Sequence, residues 1–389
     1  MASIGIQDVF VIEAIGTVTR LLGAPLLVAA LVYLIKQRAL PKPTVPLVWM
    51  FVFFAYCTLS VFWSIDPSTT ASRLQTSVQL MVMVGCLWIV TTSQARLNDI
   101  AFAYLAGVGY AVASLVALIV SLGDASAAFS RLSLGSFNPN YLANTMACGL
   151  PLAWYLVVKH RSPLVRAASL LLIPSIVVGV LSTGSRGGLL AALVGCSFVL
   201  VTLTSAHRRY RWAVLAMVIS AGVVAMDVLP AQTLERLAST APALTEGDLN
   251  SREDIWRIGF LAWGERPWFG SGFGTFPAAI TPYAGAARSP HNTFMNALVA
   301  MGIVGLALAL LAFYSVLFYT SQLPKFERML IGALLLMMFM GHSANDNMYS
   351  KFTWFTHTWI LSAQTIWSRE ARRTLFEKHH VVSPSNASS

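Results

Sequence analysis

The chain contains 389 residues, of which 56% are hydrophobic and 11% are charged. A soluble domain carries roughly 25% charged residues, so this composition excludes an ordinary soluble protein and predicts an integral membrane protein. The formal net charge of +10 does not indicate a nucleic-acid partner, because the excess Lys and Arg lie in short segments beside apolar runs, where membrane lipids are the expected partners.

Apolar runs approaching or exceeding the roughly 20 residues that a helix needs to cross a bilayer recur along the whole chain. They predict an all-α polytopic membrane protein with about 11 transmembrane helices, within a range of about 10–12. The runs occupy residues 22–35, 46–63, 76–92, 99–122, 139–158, 165–182, 187–204, 212–230, 293–319, 329–345 and 353–367. The segment before residue 22 is expected to form a short surface helix or a half-span, and Asp8 and Glu13 argue against a cleaved signal peptide, whose start would be basic.

The connections between these runs divide into two sides by charge. One side carries sixteen of the 26 basic residues and only four of the 16 acidic residues. Because Lys and Arg are retained in the cytoplasm, that side is predicted to be cytoplasmic, together with the C-terminus. The long polar connection then lies outside, and the chain divides into an N-terminal helix bundle (1–230), an outer loop (231–291), and C-terminal helices with a tail (292–389).

The outer loop is predicted to contain a short surface helix over residues 252–264. Asn250 and Ser251 are candidate N-caps, and Trp256, Trp263 and Trp268 suit the lipid headgroup zone. The glycines at 270, 272 and 274 are expected to form tight turns packed against the bilayer. They do not predict a phosphate-binding loop, because no strand precedes them.

Arginine is the recurring cation of the outer loop, which contains no Lys. The planar guanidinium can bind phosphate oxygens through two parallel hydrogen bonds, so these residues are candidate ligands of a phosphorylated substrate. The alternative is pairing with nearby carboxylates. The arginines are Arg236, Arg252, Arg257, Arg266 and Arg288, and the carboxylates are Glu235, Glu246, Glu253, Asp254 and Glu265.

Arg186 is predicted to lie at the outer mouth of a span, between Gly184 and Gly187. An unpaired arginine at membrane depth costs about 2.5–3.5 kcal/mol even on lenient insertion scales, so a negative group is expected beside it. A bound anion is one such group. The alternatives are an ion pair with Asp227 or a side chain that extends to the interface.

His291 lies at the same outer boundary, between Pro290 and Asn292, where a helix is expected to begin. The ordinary imidazole pKa of about 6.5 and the neighbouring helix N-terminus would leave a neutral ring that can accept a proton. His291 is therefore a candidate general base. A capping or interfacial role is the alternative.

Two further polar segments fall at outer helix ends. Asn138 and Asn140 begin a span and are candidate sugar-binding amides or a helix cap, and a polar cluster follows the tenth span at His342, Asn345, Asp346 and Asn347. No Asp-x-Asp pair or His/carboxylate spacing indicates a metal site, and no cofactor is expected. The four cysteines lie within apolar runs, so no disulfide is expected.

Several cations and one base at an outer membrane face fit a reaction with a lipid-linked diphosphate as leaving group. The alternative is a transporter or flippase of lipid-linked oligosaccharide, which would place ionisable residues deep in several spans and show an internal repeat. A purely structural assembly protein is a third possibility, but it leaves Arg186 and His291 without a role.

Three motifs occur in order: "STGSRGG" at 182–188, "NSREDIWRIGFLAWGERPWFGSGFGTF" at 250–276 and "SPHNTFMNALVAMGIVGL" at 289–306. In this order, within residues 130–320, the chain resembles the O-antigen ligase and Wzy-type polysaccharide polymerase family of bacterial inner membranes. The resemblance implies a metal-independent, inverting glycosyltransferase that takes glycan from undecaprenyl diphosphate on the periplasmic side of the membrane. The implied acceptor is lipid A-core or a lipid-linked glycan.

Site residues follow from the same resemblance. Arg186 and Arg252 would hold the diphosphate, and His291 would activate or orient the acceptor hydroxyl. Weaker candidates for substrate binding are Arg266, Arg288, Asn140 and Asn292.

Overall fold

The structure is a computed structural model that describes residues 11–12, 16–17, 23–38, 40–123, 131–135, 138–240 and 252–381. The candidate caps Asn250 and Ser251, Glu246, the side chain of Asp227, and Asp8 and Glu13 lie outside this description. Before residue 23 the described residues form an antiparallel strand pair, β1 (Val11–Ile12) and β2 (Gly16–Thr17). The surface helix expected in that segment is not among the described elements.

Every predicted span corresponds to helix, and the polytopic all-α prediction is confirmed. The first eight spans are α1 (Gly23–Gln37), α2 (Val45–Leu59), α3 (Pro67–Val90), α4 (Gln94–Leu122), α5 (Pro139–Ala147) with α6 (Gly149–Lys159), α7 (Pro163–Ser182), α8 (Arg186–Val201) and α9 (Arg208–Val228). The last three are α13 (Thr293–Tyr314), α14 (Lys325–Ala344) and α15 (Lys351–Val381).

The number of spans stays a prediction. Among the described residues, eight helical segments are long and apolar enough to cross a membrane, and Gly23–Gln37 and Arg186–Val201 are shorter apolar helices. The eight include α5 and α6 as one continuous segment, Pro139–Lys159, which is almost wholly buried inside the bundle. This central segment therefore contacts protein on almost all sides, and Asn144 and Thr145 of α5 are buried in the interior.

The described residues of the outer loop, 231–240 and 252–291, include three helices: α10 (Ala231–Ala238), α11 (Arg252–Glu265) and α12 (Phe276–Ala284). The predicted helix over 252–264 is thus confirmed. One face of α11 packs against protein, because Ile255 and Ala262 share a buried cluster with Phe276 of α12 and Met295 of α13. This packing places Arg252 beside the start of α13. We call the end of the bundle that carries residues 231–291 the loop face.

The glycine-rich turn after α11 packs against α13. Gly302 interrupts α13 with a φ of 68°, and Ile303 N and Val304 N donate to the carbonyl oxygens of Pro267 and Trp268 at 2.9 and 3.3 Å. In return, Ser271 N and Gly272 N donate to the carbonyls of residues 299 and 300. The exchange satisfies backbone groups that the helix break would leave unpaired at membrane depth.

Candidate active site

A cavity of about 660 Å³ opens at the loop face between α8, α11 and α14. It contains four arginines, one histidine and two asparagines. The lining residues are Arg131, Asn138, Asn140, Arg186, Gly187, Leu190, Arg236, Thr240, Arg252, Ile255, Trp256, His291, Phe339, Met340, Ser343 and Ala344. The structure therefore brings together Arg186, Arg252, His291 and Asn140, which the sequence indicated separately.

The arginines of this cavity have no carboxylate partner among the described residues. The described residues form two ion pairs. Lys159 pairs with Glu327 at 2.5 Å, and Arg257 pairs with Asp254 at 3.9 Å on the exposed side of α11. Among the described carboxylates of the loop, pairing therefore accounts for Arg257 and not for Arg236 or Arg252; Glu246 lies outside the described residues. The described residues therefore leave the positive charge of the cavity uncompensated, which favours an anionic ligand.

Arg186 begins α8 and points its guanidinium at the cavity. The helix starts there because Ser185 is its N-cap, with Ser185 Oγ accepting a hydrogen bond of 3.1 Å from Gly188 N. Arg186 Nη2 donates to Ser239 Oγ at 2.9 Å, and Arg186 Nε is buried with no hydrogen-bond partner among the described residues. A buried donor without a partner is costly, so this nitrogen is available for a ligand oxygen.

Arg131 is a site residue that the sequence analysis missed. Its Nη2 donates to Asn140 Oδ1 at 2.6 Å, and its Nε is buried with no partner in the part of the chain that the structure describes. The signal available in the sequence was a lone arginine eight residues before Pro139, where a span begins. Its relevance depends on the contact with Asn140, which only the folded chain creates.

Arg236 and Arg252 also line the cavity and are held by backbone contacts. We call Arg131, Arg186, Arg236 and Arg252 together the arginine wall. Arg236 Nε donates to Gly184 O at 3.1 Å, and Arg252 Nη1 donates to Ala344 O at 3.1 Å. Burial lowers the pKa of both guanidinium groups, and Arg186 lowers that of Arg236 further. The pKa of Arg131 is lowered by burial and by the charges of Arg236 and Arg252. The arginines thus repel one another, and a polyanion would relieve this repulsion.

His291 lies at the edge of the cavity in a left-handed backbone conformation, with a φ of 45°. Trp256 Nε1 donates to the carbonyl of Pro290 at 3.0 Å, which ties this turn to α11. Burial, followed by the charge of Arg252, lowers the pKa of His291 below its ordinary value. The ring is therefore neutral near pH 7 and can accept a proton.

Asn292, and not His291, caps α13. Asn292 Oδ1 accepts hydrogen bonds from Phe294 N and Met295 N at 2.9 and 3.0 Å. Asn292 does not line the cavity, so its predicted contact with substrate is replaced by a capping contact. A capping role, which was one alternative for His291, is therefore excluded, because Asn292 is the cap.

The structure does not bring Arg266 or Arg288 to the cavity. Arg266 is exposed, donates to Trp63 O at 3.3 Å, and lies beside Trp268 in a separate shallow depression. Arg288 is exposed on the segment that precedes His291. Neither residue enters the site described here.

Comparison with known proteins agrees with the resemblance carried by the three motifs. Residues 167–310 match the family model described as O-antigen ligase. The chain is 27% identical over 291 residues to an O-antigen ligase of Pseudomonas aeruginosa, and the alignment covers 74% of this chain and 68% of that protein. The matched family segment includes Arg186, Arg236, Arg252 and His291, whereas Arg131 and Asn140 precede it.

Proposed function

We propose that this chain, a multi-pass membrane protein similar to O-antigen ligases, transfers a glycan from undecaprenyl diphosphate to an acceptor hydroxyl in the periplasm. The similarity supports a membrane enzyme of glycan transfer. The observation that carries the finer proposal is the cavity that four arginines share with His291, where none of the arginines has a carboxylate partner within the described part of the chain.

The arginine wall suits a diphosphate leaving group. Among the described residues, Arg131 and Arg186 each have a buried Nε without a partner, and Arg236 and Arg252 add further positive charge to the cavity. Donors fixed in advance around developing negative charge stabilise a departing phosphate without reorganisation. In this scheme the guanidinium groups stabilise the leaving diphosphate, and no metal ion is needed.

The polyprenyl chain would leave the cavity sideways into the membrane. The part of the cavity between α8 and α14 is apolar at Leu190, Phe339 and Met340. A phosphate held by the arginines would therefore lie next to an apolar surface along which the polyprenyl chain would reach the membrane.

His291 would act on the acceptor. Its neutral ring takes the proton of the acceptor hydroxyl while that oxygen bonds to the anomeric carbon from the face opposite the diphosphate. The bond between the anomeric carbon and the diphosphate oxygen breaks, and this oxygen keeps the electron pair. The transfer inverts the anomeric configuration and releases undecaprenyl diphosphate.

The membrane side follows from charge. The loop face is the end with the fewer basic connections, and the opposite end carries most of the Lys and Arg of the chain. Because basic connections are retained in the cytoplasm of bacterial membranes, the cavity would face the periplasm and the C-terminus the cytoplasm.

The test is a transfer assay with purified protein and undecaprenyl-diphosphate oligosaccharide, with and without lipid A-core. We expect release of undecaprenyl diphosphate together with an elongated or newly linked glycan. Release only with lipid A-core identifies a ligase, and a ladder of longer glycans without it identifies a polymerase. Absence of release with either acceptor contradicts the proposal and favours a transporter of the same donor.

A further inference from the structure

The connection between α14 and α15 is unusually polar for a buried segment. Asn345, Asn347 and Ser350 are 3%, 1% and 7% exposed, and this stretch ends a membrane helix directly beside the cavity. Burying so many polar groups costs free energy unless each finds a partner. Among the described residues, Asn345 Oδ1, Asn347 Nδ2 and Ser350 Oγ have no hydrogen-bond partner. Backbone groups of residues 344–347 and the Asp346 carboxylate bond instead to the elements that carry the site. We call residues 344–347 the polar clamp.

The clamp binds the first turn of α13 through Thr293, which is fully buried two residues after His291. Thr293 Oγ1 donates to the carbonyl of Asn345 at 2.8 Å and accepts from Asn347 N at 2.8 Å. One turn further along α13, Asn296 Nδ2 donates to Asp346 Oδ2 at 2.8 Å. The hydroxyl of Thr293 is thus used as both donor and acceptor, and it holds the start of the helix that follows His291 and Asn292.

The same clamp contacts two other walls of the cavity. Arg252 Nη1 donates to the carbonyl of Ala344 at 3.1 Å. The phenol of Tyr141, next to Asn140 on α5, donates to the carbonyl of Asp346. The elements that carry Asn140, Arg252 and His291 come from distant parts of the sequence, and they share these few residues as a common attachment.

We infer that the polar clamp positions His291 relative to the arginine wall, and that Thr293, which makes two hydrogen bonds to the clamp, is the positioning residue. This inference rests on the proposed transferase function and adds a residue to it. Thr293 does not line the cavity, so its contribution is indirect. It fixes where the imidazole meets the acceptor, while the arginines hold the donor without it.

Thr293→Val tests this inference, because valine keeps the shape of threonine and removes both hydrogen bonds. A misplacement of about 1 Å can cost roughly 100-fold in rate, so we expect kcat to fall about 10-fold to 100-fold. The KM for undecaprenyl-diphosphate oligosaccharide should stay within about twofold, because the arginine contacts persist. Thr293→Ser restores the hydroxyl and should return kcat to near the wild-type value.

The controls separate positioning from folding and from the proposed function. Rates are normalised to the amount of monodisperse, detergent-solubilised protein, so that a folding defect is not counted as a loss of rate. A second variant, Asn296→Leu, removes the contact with Asp346 and should lower kcat in the same way. If the wild-type protein transfers glycan and Thr293→Val transfers it at the same rate, the inference is wrong and the proposed function stands. The inference is also wrong if Thr293→Val and Thr293→Ser lower kcat equally, or if Thr293→Val changes only the KM for the donor. Absence of transfer by the wild-type protein overturns the proposed function, and the inference with it.

Discussion

Asn140 Oδ1 accepts a hydrogen bond of 2.6 Å from Arg131 Nη2 at the wall of the cavity. The same oxygen accepts from Ser185 Oγ at 2.9 Å, and Ser185 is the N-cap of the helix that begins with Arg186. One amide oxygen therefore links two arginines from different elements. Its neutrality matters, because a carboxylate at this position would neutralise the charge that the cavity offers to a phosphate.

Asn140→Asp tests the requirement for uncompensated charge. The substitution keeps both acceptor contacts but pairs Arg131 with a carboxylate, so we expect the donor KM to rise at least about tenfold, which corresponds to about 1.4 kcal/mol. Ala286→Asp adds the same charge to an exposed position outside the cavity and serves as the control. Equal donor KM values in the wild-type protein and Asn140→Asp would exclude Arg131 from the diphosphate contacts.

His291→Asn tests the base without straining the backbone. The φ of 45° at this position suits asparagine better than alanine, so the turn is expected to survive the exchange. Loss of a general base typically costs about 10²-fold to 10⁴-fold, and we expect kcat to fall within this range. Wild-type turnover by a folded Asn variant would remove His291 from the chemistry.

The pH dependence follows from the lowered pKa of His291. A base must be neutral, so the wild-type kcat/KM should be constant above the imidazole pKa and fall as pH decreases through it, with the midpoint below 6.5. Arg252→Gln removes a charge that lowers this pKa, and its midpoint should move to higher pH. A midpoint that is the same in both proteins would show that Arg252 does not act on the titrating group.

Gly188→Ala tests the close approach of α5 and α8 that brings Asn140 to Arg186. A Cβ at Gly188 would lie 2.3 Å from Ala143 Cβ, so the helices must separate. Overpacking of this kind costs about 1–3 kcal/mol, and we expect a lower unfolding temperature and a reduced transfer rate. Gly332→Ala is the control, because its Cβ meets nothing within 4 Å. Equal behaviour of the two variants would contradict the close contact.

Chelation tests the prediction that no metal ion takes part. The described residues include no group of three or more His, Cys, Asp or Glu side chains that could hold one, and the arginine wall can stabilise the diphosphate by itself. Transfer should therefore continue at the same rate in EDTA. A loss that added Mg²⁺ reverses would assign leaving-group stabilisation to a metal and not to the arginines.

The helices could be predicted because a bilayer imposes a length and an apolar composition on each span. Arg186 and His291 could be predicted because an ionisable group at a helix end near the membrane is costly and calls for a reason. Arg131 could not, since a single basic residue in a connection is unremarkable until Asn140 accepts its hydrogen bond. Asn292 and Arg266 show the converse, because proximity in sequence to His291 or Arg252 did not place them in the cavity.

The most direct test of the central claim is equilibrium binding of undecaprenyl-diphosphate oligosaccharide to the detergent-solubilised protein and its variants. We expect Arg186→Gln and Arg252→Gln to weaken binding at least about tenfold each, whereas His291→Asn binds the donor like the wild-type protein and fails to turn it over. Arg257→Gln, on the exposed side of α11, should bind normally. Unchanged donor affinity in both cavity variants would contradict the assignment of the arginine wall to the diphosphate.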